Sequence, residues 1–167
     1  VDRIVPPVRS ENPIDVAVEK YYEWNVEEKA FVGPAPKIDG MNLADNLLAY
    51  IERKLFTLNT GHAITAYVGK MKGRQTIGES IEVPEIFDLV HAAMQQSGEA
   101  LVKQFGFDHE AHFKYIEKII KRFRNPYLKD DVNRVGREPL RKLSADDRLI
   151  KPIMTAKSFG LPYDKLL

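Results

Sequence analysis

The stretch Arg53-Lys54-Leu55-Phe56-Thr57-Leu58-Asn59-Thr60-Gly61-His62-Ala63 lies inside the longest helix-like run of the sequence, which we predict to extend from about Leu43 to Lys70. At 100° per residue, Lys54, Asn59 and His62 fall at about 0°, 140° and 80° and share one side of a helix. The other side carries apolar residues that would pack in a core, Ile51, Leu55 and Leu58. A lysine, an amide and an imidazole beside such a core can form a proton-transfer site. A solvated lysine, a C-capping asparagine and a surface histidine explain the same spacing, which leaves both interpretations open.

The composition is that of an ordinary globular protein of one domain, with 44% hydrophobic and 29% charged residues among 167. The absence of cysteine excludes disulfides and thiol catalysis and fits a cytoplasmic location. No apolar run approaches a membrane span, and no signal-peptide pattern opens the chain. Because the first residue is Val1 and already belongs to a strand-like segment, we expect the chain to be a fragment of a longer protein.

The N-terminal segment has a different pattern from the rest of the chain. Residues 15–27 alternate strictly, with Val16, Val18, Tyr22, Trp24 and Val26 on one face, which predicts a half-buried, antiparallel strand. Two further helices are predicted, from Pro84 to about Gln104 and from about Asp108 to Phe123. We therefore predict a mainly α fold, with a small antiparallel β-rich segment over residues 1–38 packed on a helical domain over residues 39–167.

A second informative stretch, Arg134 to Lys142, carries four cations in nine residues around a glycine and a proline. These are Arg134, Arg137, Arg141 and Lys142. Arginine suits bidentate capture of a phosphate or carboxylate, and lysine adds a point charge. Ordinary surface basicity is the competing interpretation. The net charge of +1 gives no overall bias towards nucleic acid, although the half of the chain after Lys114 is the basic one.

Several common site types are missing from the sequence. It contains no glycine-rich dinucleotide or phosphate-binding fingerprint and no nucleophile-elbow serine. His109 and His112 could share a metal, but no carboxylate cluster completes a ligand set, so we expect no metal site.

Together, the two polar stretches resemble a known family. The chain resembles the C-terminal domain of the mannitol-1-phosphate 5-dehydrogenases, a group within the polyol-specific long-chain dehydrogenases. Lys54, Asn59 and His62 match the family's K-x4-N-x2-H signature, and Arg134 and Lys142 match its later Arg and Lys, eight residues apart. The resemblance covers essentially the whole chain and is strongest over Val1 to Pro7, Glu52 to Tyr67, Asn125 to Val132 and Arg134 to Pro152.

The resemblance implies a fold like the C-terminal domain of 6-phosphogluconate dehydrogenase. It also implies a metal-independent reaction that interconverts D-mannitol 1-phosphate and D-fructose 6-phosphate with NAD. Lys54 would be the general acid/base, Asn59 would hydrogen-bond the developing alkoxide, and His62 would fix a sugar hydroxyl and help orient the lysine. Arg134 and Lys142 would bind substrate. Arg137 and Arg141 are added as candidate phosphate ligands from charge and position alone, and Asp2 and Arg3 resemble the segment that joins the family's two domains.

The chain departs from the family pattern in one large respect. The Rossmann domain that binds NAD is expected before residue 1, and the helical domain usually continues beyond Leu167, so we expect the 167 residues alone to be inactive. The expected partners are the sugar phosphate and the Rossmann domain, and neither nucleic acid nor a membrane. Two alternatives remain: a dehydrogenase for an unphosphorylated polyol or a hexuronate, and a helical interaction module without catalysis.

Overall fold

A computed structural model of the protein describes residues 2, 11–12, 14–16 and 18–167. Two short strands are followed by a series of helices: β1 (Trp24–Glu27), β2 (Met41–Ala44), α1 (Leu47–Lys54), α2 (Thr60–Met71), α3 (Ile77–Ile81), α4 (Pro84–Phe105), α5 (His109–Phe123), α6 (Val132–Gly136), α7 (Pro139–Lys142) and α8 (Lys151–Ser158). A 3-10 turn, Glu28–Ala30, follows β1, and a π-helical turn, Leu55–Asn59, joins α1 to α2. The predicted helical class is confirmed. The strand expected over Val1 to Pro6 lies, except for Asp2, outside the described residues.

The core forms where α2, α4 and α5 pack together. Ile86, Val90 and Met94 of α4 meet Ile116, Ile119, Ile120 and Phe123 of α5, all buried. Both helices follow the predicted periodicity and end as predicted: Pro84 begins α4, Gly106 with a φ of +70° ends it, and the Asp108 side chain caps α5. None of the helices in the described part of the chain combines the length and the apolarity needed to cross a bilayer.

Gly61 gives α2 its close approach to α4 and α5. A Cβ atom at this position would lie 2.5 Å from Met94 Sδ and 3.3 Å from Phe123 Cε2. The glycine inside the helix is therefore explained by packing between helices.

The prediction of one continuous helix from Leu43 to Lys70 is wrong in its middle and at its start. Leu43 belongs to β2, and the Asn46 side chain begins α1 by accepting a hydrogen bond from Ala49 N. In the middle, the π turn interrupts the α-helical pattern, because Thr60 bonds back five residues to Leu55 O through both its backbone N–H and its hydroxyl. We call residues Leu55–Asn59 the π turn.

The sheet is parallel, so the predicted antiparallel β element is corrected. Trp24 pairs with Met41 and Glu27 with Ala44 in one parallel ladder. The connection over residues 28–40 is long enough for the crossover that a parallel pair requires. Beside this sheet, within the described residues, the only antiparallel pair is the isolated bridge between Asp2 and Glu23.

The predicted faces of the segment 15–27 are also wrong before β1. Val16, Val18 and Tyr22 are exposed, whereas Glu19 is buried. The cause is Arg122 of α5, a buried cation whose guanidinium donates to Glu19 at 2.6 Å and to Asp2 at 3.3 Å. A buried arginine requires paired carboxylates, and this requirement overrides the alternation of apolar residues.

Candidate active site

Lys54 directly precedes the π turn and Asn59 is its last residue. Both line a cleft of about 320 Å³. The opposite wall of the cleft comes from the N-terminal segment, through Asp2, Glu23 and Asn25. Lys54 is 38% exposed, and its Nζ lies 3.6 Å from Asp2 Oδ1. A lysine and an amide thus line the same space, where a bound hydroxyl could reach an acid/base group and a hydrogen-bond donor.

His62 lies in the first turn of α2 and faces away from this cleft. Its ring stacks on Phe123 with centroids 5.1 Å apart, and its Nε2 lies 3.0 Å from Asp130 Oδ2. That approach lacks hydrogen-bond geometry, so it does not offset the loss of hydration. Burial, followed by the charge of Arg134 and other nearby cations, lowers the pKa of His62 to about 3. The imidazole is therefore neutral near pH 7.

A basic pocket of about 140 Å³ collects the predicted cations beside His62. It is lined by His62, Arg134, Val135, Arg137, Arg141, Lys142 and Arg148. The four cations named from the sequence therefore lie together with one member of the predicted catalytic trio. Arg148 was not singled out from the sequence. It falls inside the basic half of the chain and the segment of resemblance. A single arginine after two aspartates, however, does not by itself indicate an anion-binding residue.

Three cations of the basic pocket, Arg134, Arg141 and Lys142, are held by defined partners. Arg134 pairs with Asp130, and the Lys142 ammonium donates to the carbonyl of Arg137. Arg141 Nε donates to Glu138 Oε2 at 3.0 Å. Burial is the largest cause that lowers the pKa of both Arg134 and Lys142, and like charge from neighbouring arginines lowers each further.

A larger cleft of about 490 Å³ lies against His62 and Asp130. Its walls include the apolar side chains of Ile77, Phe123, Pro126 and Leu128. His62 therefore stands at the boundary of two spaces, the basic pocket and this mainly apolar cleft.

The predicted trio is thus divided between two places. Lys54 and Asn59 share the cleft at the π turn, while His62 faces the basic pocket. The expectation that all three project from one side assumed a regular α-helix, and the π turn changes the rotation between Lys54 and His62. One hydrogen bond joins the two places directly, from Thr60 Oγ1, next to Asn59, to Arg148 O at 2.7 Å.

His109 and His112 do not point at one another. His109 Nε2 lies 2.8 Å from Glu99 Oε1, whereas His112 is buried among Phe107, Phe113 and Tyr115. Burial lowers the pKa of His112 to about 4. In the residues that the structure describes, no group of three or more histidine or carboxylate side chains is arranged to hold a metal ion.

Comparison with known families identifies the domain. A model described as the mannitol dehydrogenase C-terminal domain matches residues 46–167, and one described as the mannitol dehydrogenase Rossmann domain matches residues 1–40. The chain belongs to the mannitol dehydrogenase family. Its Lys54–Asn59 cleft is therefore walled by residues from both matched segments, with Asp2, Glu23 and Asn25 from the first and α1 and the π turn from the second.

Two solved structures show the same fold. A ternary complex of Pseudomonas fluorescens mannitol 2-dehydrogenase with NAD and D-mannitol matches with a TM-score of 0.72 and 22% identity, covering 99% of this chain and 35% of that one. A substrate-free D-sorbitol dehydrogenase matches with a TM-score of 0.81 and 17% identity, covering 99% of this chain and 36% of that one. The chain thus spans about a third of the length of these mannitol dehydrogenase-like structures.

Proposed function

We propose that the chain is the substrate-binding part of an NAD-dependent mannitol-1-phosphate 5-dehydrogenase, which interconverts D-mannitol 1-phosphate and D-fructose 6-phosphate. Family membership supports an oxidoreductase that acts on a polyol. The observation that carries the phosphorylated substrate is the basic pocket, where Arg134, Arg137, Arg141, Lys142 and Arg148 converge beside His62. The hydroxyl groups of a neutral polyol can accept hydrogen bonds from these cations, but they carry no negative charge to balance them.

Lys54 is the proposed general acid/base. Its neutral amine takes the proton of the hydroxyl on the carbon to be oxidised, and its ammonium returns that proton in the reverse direction. NAD, when bound, supplies the acceptor for the hydride that leaves the same carbon. Asp2, 3.6 Å from the ammonium, holds the lysine at the cleft. Asn59 lines the same cleft and would donate an amide N–H to the oxygen as negative charge develops on it.

His62 is proposed to bind a sugar hydroxyl. Because its pKa is lowered to about 3, it acts as a neutral hydrogen-bonding group and adds no charge near pH 7. Stacking on Phe123 fixes the plane of its ring. Because His62 lines the basic pocket, its position suits a contact with a sugar hydroxyl close to a phosphate bound there.

The metal-independent reaction and the NAD requirement are part of the same proposal. NAD would be bound mainly by a Rossmann domain, of which residues 1–40 match one part. The residues of this chain fit a nicotinamide brought to the Lys54 cleft, because residues of both matched segments line that cleft and it includes Ile51, an exposed apolar side chain of α1. We further propose that the 167 residues alone have little or no dehydrogenase activity, and robust NAD-dependent turnover by them would contradict this.

The second candidate is a dehydrogenase for an unphosphorylated polyol or a hexuronate. One observation favours it: two of the matching structures are a mannitol 2-dehydrogenase, bound to D-mannitol, and a D-sorbitol dehydrogenase. A helical interaction module without catalysis is the third reading, and the pairing of Lys54 with Asn59 in one cleft argues against it.

Steady-state kinetics of an enzyme that joins this chain to a complete Rossmann domain would test the proposal. We expect kcat/KM for mannitol 1-phosphate to exceed that for mannitol by at least about 100-fold, because only the phosphate supplies negative charge to the cations of the basic pocket. Arg137→Ala should remove much of that preference, and Arg124→Ala, which changes an exposed arginine outside the basic pocket, should leave it unchanged. Equal efficiency on both substrates would refute the phosphate assignment, and inactivity on all polyols and polyol phosphates would favour the interaction module.

A further inference from the structure

One carboxylate holds two arginines of the basic pocket side by side. Asp147 Oδ2 accepts a hydrogen bond from Arg141 Nη1 at 2.8 Å, and Asp147 Oδ1 accepts one from Arg148 Nε at 2.7 Å. The same Oδ1 also accepts from the backbone N–H of Arg148 at 2.6 Å. Asp147 is buried and both arginines line the pocket. We propose that Arg148 is a phosphate-binding residue and that Asp147 is the positioning residue that sets Arg141 and Arg148 as a two-arginine clamp on the phosphate.

The backbone of Arg148 is fixed independently of its side chain. Its carbonyl accepts from Thr60 Oγ1 at 2.7 Å, and Thr60 is fully buried at the start of α2. On either side, Leu149 N donates to Lys142 O at 3.3 Å and Lys151 N donates to Asp147 O at 2.9 Å. The guanidinium therefore extends from a point that is tied to the π turn and to α7, so its distance from the Lys54 cleft is set by the fold.

Holding the arginines in advance favours binding of an anion. An arginine side chain loses rotamer entropy when it is ordered. Where a carboxylate has already ordered it, the ligand does not bear that cost, which is the usual benefit of preorganisation. Burial alone would raise the pKa of Asp147, but the hydrogen bonds and charge of Arg148, together with Arg141, hold it below its usual range. Asp147 thus stays ionised near pH 7 and keeps its hydrogen bonds to Arg141 and Arg148.

The balance of charge indicates a dianion. The pocket has five cationic side chains, and three carboxylates pair with them: Asp130 with Arg134, Glu138 with Arg141, and Asp147 with both Arg141 and Arg148. A formal excess of two positive charges remains in this part of the described chain. A phosphate monoester carries about −1.5 to −2 at pH 7, whereas a hexuronate carries only one negative charge. The charge of the whole pocket therefore suits the phosphate of the substrate in the proposed function, on which this inference rests.

Substitution of Asp147 distinguishes a positioning role from a simple charge effect, because the two predict opposite changes in the affinity for phosphate. If Asp147 only competed with the ligand for positive charge, Asp147→Asn would tighten phosphate binding. If it positions the clamp, the same change weakens binding although it makes the pocket more positive. The asparagine keeps an acceptor for Arg148 N, so the local backbone is retained. Glu138→Gln is the matched control, since it removes one negative charge from Arg141 at an exposed position without touching Arg148.

Titration of inorganic phosphate and of mannitol 1-phosphate into the 167-residue chain, followed by NMR or calorimetry, measures these effects directly. We expect Arg148→Ala to weaken both ligands by about tenfold or more and Asp147→Asn by about threefold or more, with Glu138→Gln unchanged or slightly tighter. In the enzyme with its Rossmann domain, Asp147→Asn should raise KM for mannitol 1-phosphate while kcat changes little. Circular dichroism of each variant verifies that the chain is folded.

The outcomes separate this inference from the proposed function. If the unaltered chain binds phosphate and Arg148→Ala binds it equally well, the clamp is refuted while the sugar-phosphate function stands. Tighter binding by Asp147→Asn refutes the positioning role. If neither the chain nor the enzyme with its Rossmann domain binds phosphate or mannitol 1-phosphate, the phosphorylated substrate is refuted and the clamp with it.

Discussion

Replacing Thr60 with valine tests whether a single hydroxyl ties the π turn to the basic pocket. The substitution keeps the shape of a fully buried side chain and removes the donor to Arg148 O, 2.7 Å away. Leu55 O, the second acceptor of this hydroxyl, keeps the backbone N–H of Thr60. The change therefore leaves one buried carbonyl without its hydroxyl partner.

The expected loss of stability follows from that one unsatisfied carbonyl. A buried acceptor left unsatisfied costs about 1–3 kcal/mol, and the additional buried methyl group offsets at most about 0.8 kcal/mol. We expect a net loss of about 1–2 kcal/mol in the free energy of unfolding, equivalent to a fall in Tm of roughly 3–6 °C for a chain of this length. Urea and thermal denaturation followed by circular dichroism would measure it.

Thr65→Val is a matched control in the same helix. Thr65 is equally buried, but its hydroxyl donates to Gly61 O, four residues back within α2, at 2.7 Å. That carbonyl retains its helical partner, so we expect a change within about 0.5 kcal/mol. Equal stability of the Thr60 and Thr65 variants would refute the argument that the contact with Arg148 carries the effect.

Three further predictions concern other parts of the molecule. Lys54→Ala should lower turnover of the enzyme with its Rossmann domain by about three orders of magnitude or more at nearly unchanged stability, and a normal rate would exclude the lysine as acid/base. Because the pKa values of His62 and His112 are lowered to about 3 and about 4, these histidines bind protons at a higher pH in the unfolded chain than in the folded chain. The free energy of unfolding should hence be highest above about pH 6.5 and fall as pH drops, by up to about 1.4 kcal/mol per pH unit for each histidine. His112→Leu should reduce this slope in urea titrations between pH 7 and 4. Arg122→Met should cost about 3–5 kcal/mol because it removes the buried cation that pairs with Asp2 and Glu19. Arg124→Met, at a partly exposed ion pair, should cost less than about 1 kcal/mol.

Local signals in the sequence were sufficient for the helices that form the core. The apolar stripes of α4 and α5 repeat with the period of an α-helix, and Pro84, Gly106 and Asp108 mark their ends through backbone and capping chemistry that involves only near neighbours. The clustering of cations between Arg134 and Lys142 was visible for the same reason, since these residues are close in sequence.

The features that the sequence did not predict depend on partners far along the chain. The π turn is accompanied by a hydrogen bond from Thr60 to a carbonyl 88 residues away, and Glu19 is buried by an arginine 103 residues away. Periodicity cannot detect either partner. Arg148 was missed because its position beside Arg141 depends on Asp147, a contact that appears only once the turn after α7 is folded. The roles of Lys54 and Asn59 came from resemblance to a family, and those roles stay predictions.

The π turn has a consequence for the comparison of relatives. Such a turn holds one more residue than the α-helical turn it replaces, so the residues after it are rotated by about 100° relative to an unbroken helix. Deleting one residue between Leu55 and Asn59 could restore a regular helix with all of its backbone hydrogen bonds. The same deletion would turn His62 away from Phe123, and Gly61 away from Met94. A one-residue alignment gap at this position would therefore mark relatives that keep the helix but orient Gly61 and His62 differently.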